Sequence, residues 1–276
     1  MFSVVTVNVN GVRAAHKNGG LQWLLDAHAA QQADVICLQE VRANSEELSA
    51  TLELAGMQDF NVLHSASSER KGHAGVAILS KLPFKKTNIG LGPKQFADQG
   101  RWVDATFATE FGDVTVASIY VHTGDHEKPE KQAEKEAFLA AMTKYMKKVS
   151  AEADKKNHTL LVGDLNVGHT ELDIKNWKGN VGKSGFLESE RKYFDDWFKK
   201  YGWVDLGRVD AGEVPGPYTW WSFRGQAFDN DAGWRIDYQL ATPELAKHLQ
   251  SITVGRAPSY AERWSDHAPV TAVFHK

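Results

Sequence analysis

Thr159-Leu160-Leu161-Val162-Gly163-Asp164-Leu165-Asn166 is the most telling segment of the chain. Thr159–Val162 is a short apolar run and reads as a buried strand. Asp164 and Asn166 then follow it at once, so a carboxylate and an amide stand where the strand ends. The same arrangement recurs outward from this point. Asn8 sits near the end of a first strand over Phe2–Val9, and Glu40 follows a strand over Asp34–Leu38. Tyr120 ends the run Val-Ala-Ser-Ile-Tyr in a strand over Val114–Val121. Asp237 lies in a strand over Arg235–Leu240, and Asp266 and His267 precede a last strand over Pro269–Phe274. With these strands adjacent, one rim collects four carboxylates, two asparagines, a tyrosine and a histidine.

The remaining segments alternate between strand and helix. Gly75–Leu79, Trp102–Phe107, Tyr218–Phe223 and Ser251–Val254 read as further strands. Leu21–Ala30 reads as a helix, with Leu21, Leu24, Leu25 and His28 on one face. Glu46–Leu54 reads as a helix stopping near Gly56. Lys131–Ser150 reads as a helix just after Pro129, with Phe138, Leu139, Met142 and Met146 at helical spacing, and Ser189–Lys200 as another. Strands run from one end to the other without a repeat or a linker. Residues 1–276 are therefore expected to form one domain, two packed sheets with helices outside. The irregular stretch Gly163–Gly185 carries Asp, Asn, His, Glu and Trp, as functional loops do.

Composition narrows the class. The chain has 276 residues, 42% apolar and 24% charged, enough for a sizeable core without covalent staples. Its formal charge of −3 excludes a globally basic nucleic-acid coat, although not a local basic face. Cys37 is the single cysteine, so no intrachain disulfide can form, and a reducing compartment is expected. The N-terminus lacks a secretory pattern, and no apolar run is long enough for a membrane span. The expectation is a cytoplasmic protein.

The rim chemistry suits hydrolysis with a hard cation. Mg²⁺ takes oxygen ligands from one or two carboxylates and from substrate phosphate. Glu40 is the strongest single ligand candidate. Asp164 with Asn166 fits a general base or water-positioning group. His267 fits a donor to developing phosphate charge, and Asp237 a carboxylate holding the His267 ring in one tautomer. Each residue alone has a plainer reading. Gly163-Asp164-Leu165-Asn166 also reads as a turn whose side chains bond backbone. His267 reads as a structural histidine, Glu40 as a solvated strand-end residue, and Tyr120 as core. Only their coincidence favours a site.

Longer motifs sharpen this. They are Asn8-Val9-Asn10-Gly11-Val12-Arg13, Gln39-Glu40, Gly163–Asn166, Asp173-Ile174-Lys175-Asn176-Trp177, Gly185-Phe186-Leu187 with Glu190-Arg191, Tyr218-Thr219-Trp220-Trp221-Ser222, Gly233-Trp234-Arg235-Ile236-Asp237-Tyr238 and Ser265-Asp266-His267. On these the chain resembles the exonuclease III family of apurinic/apyrimidinic endonucleases, within the endonuclease/exonuclease/phosphatase superfamily. The resemblance runs from Val5 to Phe274. It implies a four-layer α/β/β/α sandwich of two mixed sheets flanked by helices. It implies cleavage of double-stranded DNA 5′ to abasic sites, leaving a 3′-hydroxyl, with removal of 3′ blocking groups and degradation of 3′ ends. It implies a Mg²⁺ cofactor, for which Mn²⁺ substitutes, and a monomer working at the bacterial nucleoid. By family roles Glu40 binds metal, with Asn8, Asp164, Asn166, Asp266 and His267 around the metal sites. Tyr120 and His267 contact the scissile phosphate, Asp164 and Asn166 handle the water, and Asp237 pairs with His267. Trp220, Trp234 and Ile236 match positions that form a pocket for a flipped-out abasic sugar; the plainer reading is that Trp221 and others simply pack the second sheet. Phosphate contacts are implied for Arg13, Arg101 and residues near Lys71, Lys175 and Lys178. The chain departs from the family pattern at His122-Thr123, where a proline and then a small or amide residue are usual. It departs again at Gln99, at His73 and at Glu188-Ser189, departures that bear on the balance between incision and 3′-end trimming.

Overall fold

A computed structural model describes residues 1–68, 72–92, 94–152 and 157–276. Lys71, expected near phosphate, lies outside the described residues. In chain order the elements are β1 (Phe2–Asn8), α1 (Val12–Lys17), α2 (Gly20–Ala29), β2 (Val35–Gln39), α3 (Ser45–Leu54), β3 (Asn61–Ser65), β4 (Val76–Ser80), β5 (Lys86–Ile89), β6 (Trp102–Thr109), β7 (Gly112–Tyr120), α4 (Pro129–Glu152), β8 (Asn157–Asp164), α5 (Glu188–Lys199), β9 (Val204–Asp205), α6 (Leu206–Ala211), β10 (Asp237–Ala241), α7 (Pro243–Ala246), β11 (Leu249–Val254) and β12 (Val270–Phe274).

Every residue of β1, β2 and β4 is buried, because both faces of each strand are covered. Successive side chains point to opposite faces, so the continuous apolar runs divide between two cores. Val4, Val35, Cys37 and Ile78 meet Val103, Phe107, Val116, Leu160 and Val162 between the sheets. Their neighbours Val5, Val7, Ile36 and Leu38 face outward onto Val12, Leu21, Leu24, Leu48 and Leu52 of α1, α2 and α3. On the far side Ala117, Ile119, Leu161 and Leu240 carry Phe138, Leu139 and Met142 of α4 and Phe194 and Trp197 of α5. The result is the expected α/β/β/α sandwich.

The first sheet has the order β11-β12-β1-β2-β4-β3 and the second β5-β6-β7-β8-β10-β9. β1 pairs β2 in parallel and β12 antiparallel, while β7 pairs β8 in parallel and β8 pairs β10 antiparallel. α3 starts at a reciprocal cap, with the Asn44 side chain accepting from the Glu47 amide and the Glu47 carboxylate accepting from the Asn44 amide. Among the described residues no helix is long and apolar enough to cross a membrane.

Two differences from the sequence reading have physical causes. Tyr218–Phe223 is not a strand. Thr219 and Trp220 both donate their amides to Trp234, but the Trp221 amide turns to Asp266, so no continuous register forms and only single bridges at Trp220 remain. β3 and β5, each at one edge of its sheet, carry no long apolar run because edge strands are less covered; all four residues of β5 are exposed.

Candidate active site

The topology brings the polar strand ends together. β1 and β2 run parallel, so Asn8 is level with Gln39, and Glu40 follows directly. β7 and β8 run parallel, so Tyr120 is level with Asp164. β10 runs the other way and places its first residue, Asp237, opposite Asp164. β12 is likewise antiparallel to β1, so Asp266 and His267, just before it, reach the same rim. Gly163 is needed for this closeness: a Cβ there would stand 2.0 Å from the Ile119 carbonyl oxygen.

Hydrogen bonds join the two sheets at the rim. Asn8 Nδ2 donates to Glu40 Oε1 at 3.0 Å and to Asp164 Oδ2 at 3.0 Å. Asn166 donates its amide to Asp164 Oδ1 at 2.9 Å and its side chain to the Val121 carbonyl at 2.8 Å. His267 Nδ1 lies 2.8 Å from Asp237 Oδ2, which also accepts from the Thr219 hydroxyl at 2.6 Å. His267 Nε2 lies 3.7 Å from Asp164 Oδ2. Asn10, Glu40 and Asn166 all have positive φ, 49°, 47° and 50°. Such backbone is costly for residues other than glycine and collects at functional sites.

Charge is out of balance here. Burial pushes the Asp164 carboxyl up to about 8, with Asp237 and Glu40 adding to this against His267 and Asn8. Burial alone would lower His267, but Asp237, Asp164 and Asp266 push it up to about 10. The ring is therefore an imidazolium near neutral pH, with both nitrogens as donors. Tyr120 is raised well above its ordinary value by burial and then by Glu40 and Asp164, so it keeps its proton. Asp164 and Asp237, with His267 once its ring gives up a proton, offer ligand atoms within 4.8 Å of one another that could hold a metal ion. Asp237 Oδ1 is buried without a hydrogen-bond partner. A cluster of mutually repelling carboxylates with oxygen donors to spare fits a hard divalent cation.

The rim floors a cavity of about 440 Å³. Glu40, Asp164, Asn166, Asp266 and His267 line its base; Trp220, Trp234 and Ile236 form an apolar wall. The two indoles meet edge to face, 6.3 Å apart. Trp220 Nε1 donates to Asp266 Oδ2 at 3.1 Å, which ties that wall to the carboxylates. Gly185 (φ 87°) keeps the opening clear, since a Cβ there would stand 3.0 Å from the Trp234 ring. Trp221 instead packs on Phe228 in a separate buried cluster, against Val254 of β11 in the first sheet rather than on the second sheet expected from the sequence.

The structure thus gathers Asn8, Glu40, Tyr120, Asp164, Asn166, Asp237, Asp266 and His267, with Trp220, Trp234 and Ile236 beside them. It does not bring Arg13 or Arg101 into the cavity lining. Arg13 pairs with Glu47 at the start of α3. Arg101 lies against the Tyr120 ring and 3.6 Å from Glu134. Glu134 also accepts from Gln99 at 3.3 Å and lies 3.6 Å from His122, so two of the departing residues converge on one carboxylate behind Tyr120. Lys175 and Lys178 are not in the cavity lining either; Lys178 lies over the Trp177 ring. Sequence reasoning missed Arg42, which pairs with Glu40, and Asn10, whose side chain donates to Asp266 at 2.9 Å. Both stand two residues from a recognised one, which was the available signal. Asn180, Lys183 and Ser184 also line the cavity, from the irregular stretch Gly163–Gly185, whereas His126 carried no signal.

Residues 5–267 match the model of the Endonuclease/Exonuclease/phosphatase family. The chain is 32% identical to an exodeoxyribonuclease III of Haemophilus influenzae over 98% of both chains. It is similar to the solved structure of NExo from Neisseria, a 3′ phosphatase bound to product DNA hairpin, with TM-score 0.82, 28% identity and all of both chains covered. It is also similar to an AP endonuclease from Archaeoglobus fulgidus, with TM-score 0.81, 26% identity and 99% of both chains covered.

Proposed function

Because the chain belongs to the endonuclease/exonuclease/phosphatase family, in its exonuclease III-type branch, we propose that it hydrolyses the DNA backbone 5′ to abasic sites. Trimming of 3′ ends and removal of 3′ blocking groups belong to the same reading. The cofactor proposed is Mg²⁺, with Mn²⁺ as a substitute. Residues 1–276 are proposed to act as a monomeric single domain in the cytoplasm, since the site draws side chains from both sheets.

The observation that carries the reading is the meeting of two features. Asp164 and the Asp237-paired His267 sit at the base of a cavity whose wall is Trp220, Trp234 and Ile236. The polar base suits a phosphodiester. The apolar wall suits a sugar without its base, which leaves the duplex cheaply because no base pair or stack is lost.

Glu40, Asn8 and Asp266 would hold the cation, with Asp164, Asn166 and His267 alongside; bound there, it supplies Lewis-acid stabilisation of charge developing on the phosphate oxygens. With a cation bound beside it Asp164 would be ionised and would take the proton of the attacking water, and the Asn166 amide keeps its carboxylate aimed. The water oxygen bonds to phosphorus, the bond to the departing 3′ oxygen breaks, and that oxygen takes a proton from solvent to become the 3′-hydroxyl. His267 and Tyr120, both protonated, donate to the phosphate oxygens as charge builds. Asp237 holds the His267 ring through Nδ1, leaving Nε2 for substrate.

A gel assay tests this with a synthetic abasic duplex, an intact duplex and a 3′-phosphate duplex, in Mg²⁺ and in EDTA. The expected result is Mg²⁺-dependent incision at the abasic site and release of the 3′ phosphate. Equal cutting of the intact duplex, or cutting in EDTA, would refute it.

A further inference from the structure

Lys135 of α4 and Glu190 of α5 are both completely buried, 2.7 Å apart. A buried ion pair is weak support for stability, since an apolar pair of the same size often does as well. The partners of this pair point elsewhere. Lys135 Nζ also donates to the carbonyls of Asn166 at 2.9 Å and Thr123 at 3.0 Å, so all three ammonium hydrogens are used. Glu190 Oε2 accepts from the amides of Gly185 at 2.8 Å and Leu187 at 3.1 Å. Gln132 joins the hub, donating to Glu190 at 2.9 Å and accepting from the Ser184 hydroxyl at 2.7 Å. Gly124 lets its loop sit close, because a Cβ there would stand 2.8 Å from Lys135 Cδ.

Thr123, Asn166, Ser184 and Gly185 all line the cavity; Thr123 comes from the loop after β7, and the others from both ends of the long connection between β8 and α5. None is held there by a ladder. Asn166 is the most demanding, since its φ of 50° is unfavourable and its amide orients Asp164. We propose that the buried Lys135–Glu190 pair is a positioning device of the active site. It fixes Asn166, and through it Asp164, and ties the Thr123 and Gly185 walls to one point. This rests on the hydrolase reading above.

The test compares Lys135→Met, Glu190→Gln and the double variant, with kcat and KM on the abasic duplex and melting temperature for each. Both single variants lose melting temperature and kcat, because each leaves one unpaired buried charge. The double variant removes both charges and recovers melting temperature. Its kcat stays roughly 10–100-fold low, because the carbonyls of Asn166 and Thr123 have lost their donor and small misplacements cost that much. KM moves far less. A double variant at parent kcat overturns the proposal. A second measurement does not depend on the double variant folding. Lys135→Met added to Asp164→Asn should cost much less kcat than in the parent, since a residue acting through Asp164 is not additive with it. Equal losses in the two backgrounds overturn the proposal. Failure of the parent to cut the abasic duplex would instead refute the proposed function.

Discussion

Two clusters of buried charge lie side by side and are built to opposite ends. Around Arg235 the charges close. Its Nε donates to Asp173 at 2.7 Å and its two terminal nitrogens to Asp205 at 3.0 and 2.7 Å. Arg208 adds a second cation to Asp173 at 2.5 Å. Two arginines meet two aspartates. Burial alone would raise Asp173, but Arg235, the Thr170 amide and Arg208 bring it down to about 2. Two residues along the chain, Asp237 opens the other cluster. There Asp164 is pushed up to about 8, and Asp237 keeps an unpartnered oxygen. Asn10, Glu40 and Asn166 hold strained backbone there, whereas Asp173, Asp205 and Arg235 do not. Neutralised charge ties the loop Thr170–Asp173 to Arg235 just before β10, and removing either partner would strand a buried charge. Surplus carboxylate there is the charge that a bound cation would neutralise.

The largest expected difference between them is catalytic. Asp164→Asn keeps shape and removes the base, so kcat on an abasic duplex should fall by roughly 10²–10⁴-fold. Melting temperature should not fall, because surplus charge has been relieved. A loss of rate below tenfold would mean that another residue handles the water. In the other cluster Asp173→Ala should do the reverse. It strands buried guanidinium charge, so urea unfolding should show a loss of about 3–5 kcal/mol, with kcat of the folded fraction near that of the parent. A negligible stability change would erase the distinction.

Trp234→Ala sharpens the comparison from the substrate side. Apolar and stacking contacts of this kind are worth roughly 1–3 kcal/mol, so preference for an abasic over an intact duplex should drop by about one to two orders of magnitude. Rates on abasic, intact and 3′-recessed duplexes falling in parallel with melting temperature would make Trp234 core instead. The smallest effect is a pH dependence. Asp173 has a folded pKa of about 2 against an ordinary 3.8, so its contribution is present above the higher value and is lost as pH falls through the lower. Stability should therefore decline by about 2 kcal/mol between about pH 4 and pH 2 through this group. Asp173→Asn should flatten that decline in urea titrations.

Much of this was legible before any coordinates. The strands are covered on both faces, so they appear as apolar runs, and a polar residue ending such a run stands out. That is how Asn8, Glu40, Tyr120, Asp164 and Asp237 were found. The edge strand β5 was invisible because nothing covers it. Tyr218–Phe223 misled because its aromatic residues serve a cavity wall and a separate core cluster, not a ladder. Asp173 and Arg235 could be quoted as motif residues, but not as partners, since 62 positions separate them.

Sequence by itself determined which residue types end each strand and which faces must be buried, because side-chain alternation and hydropathy are local properties. Tertiary structure alone decided which of the charges are balanced. Lys135 makes the point. It lies in a helix rich in Ala, Lys and Glu, where a lysine reads as solvated. Packing of α4 beside α5 and over the Thr123 and Asn166 loops removes it from water altogether and gives it three partners from distant parts of the chain. Burial and the identity of the nearest opposite charge are set by long-range contacts, and these decide whether an ionisable residue fastens the fold, tunes the site or meets only solvent.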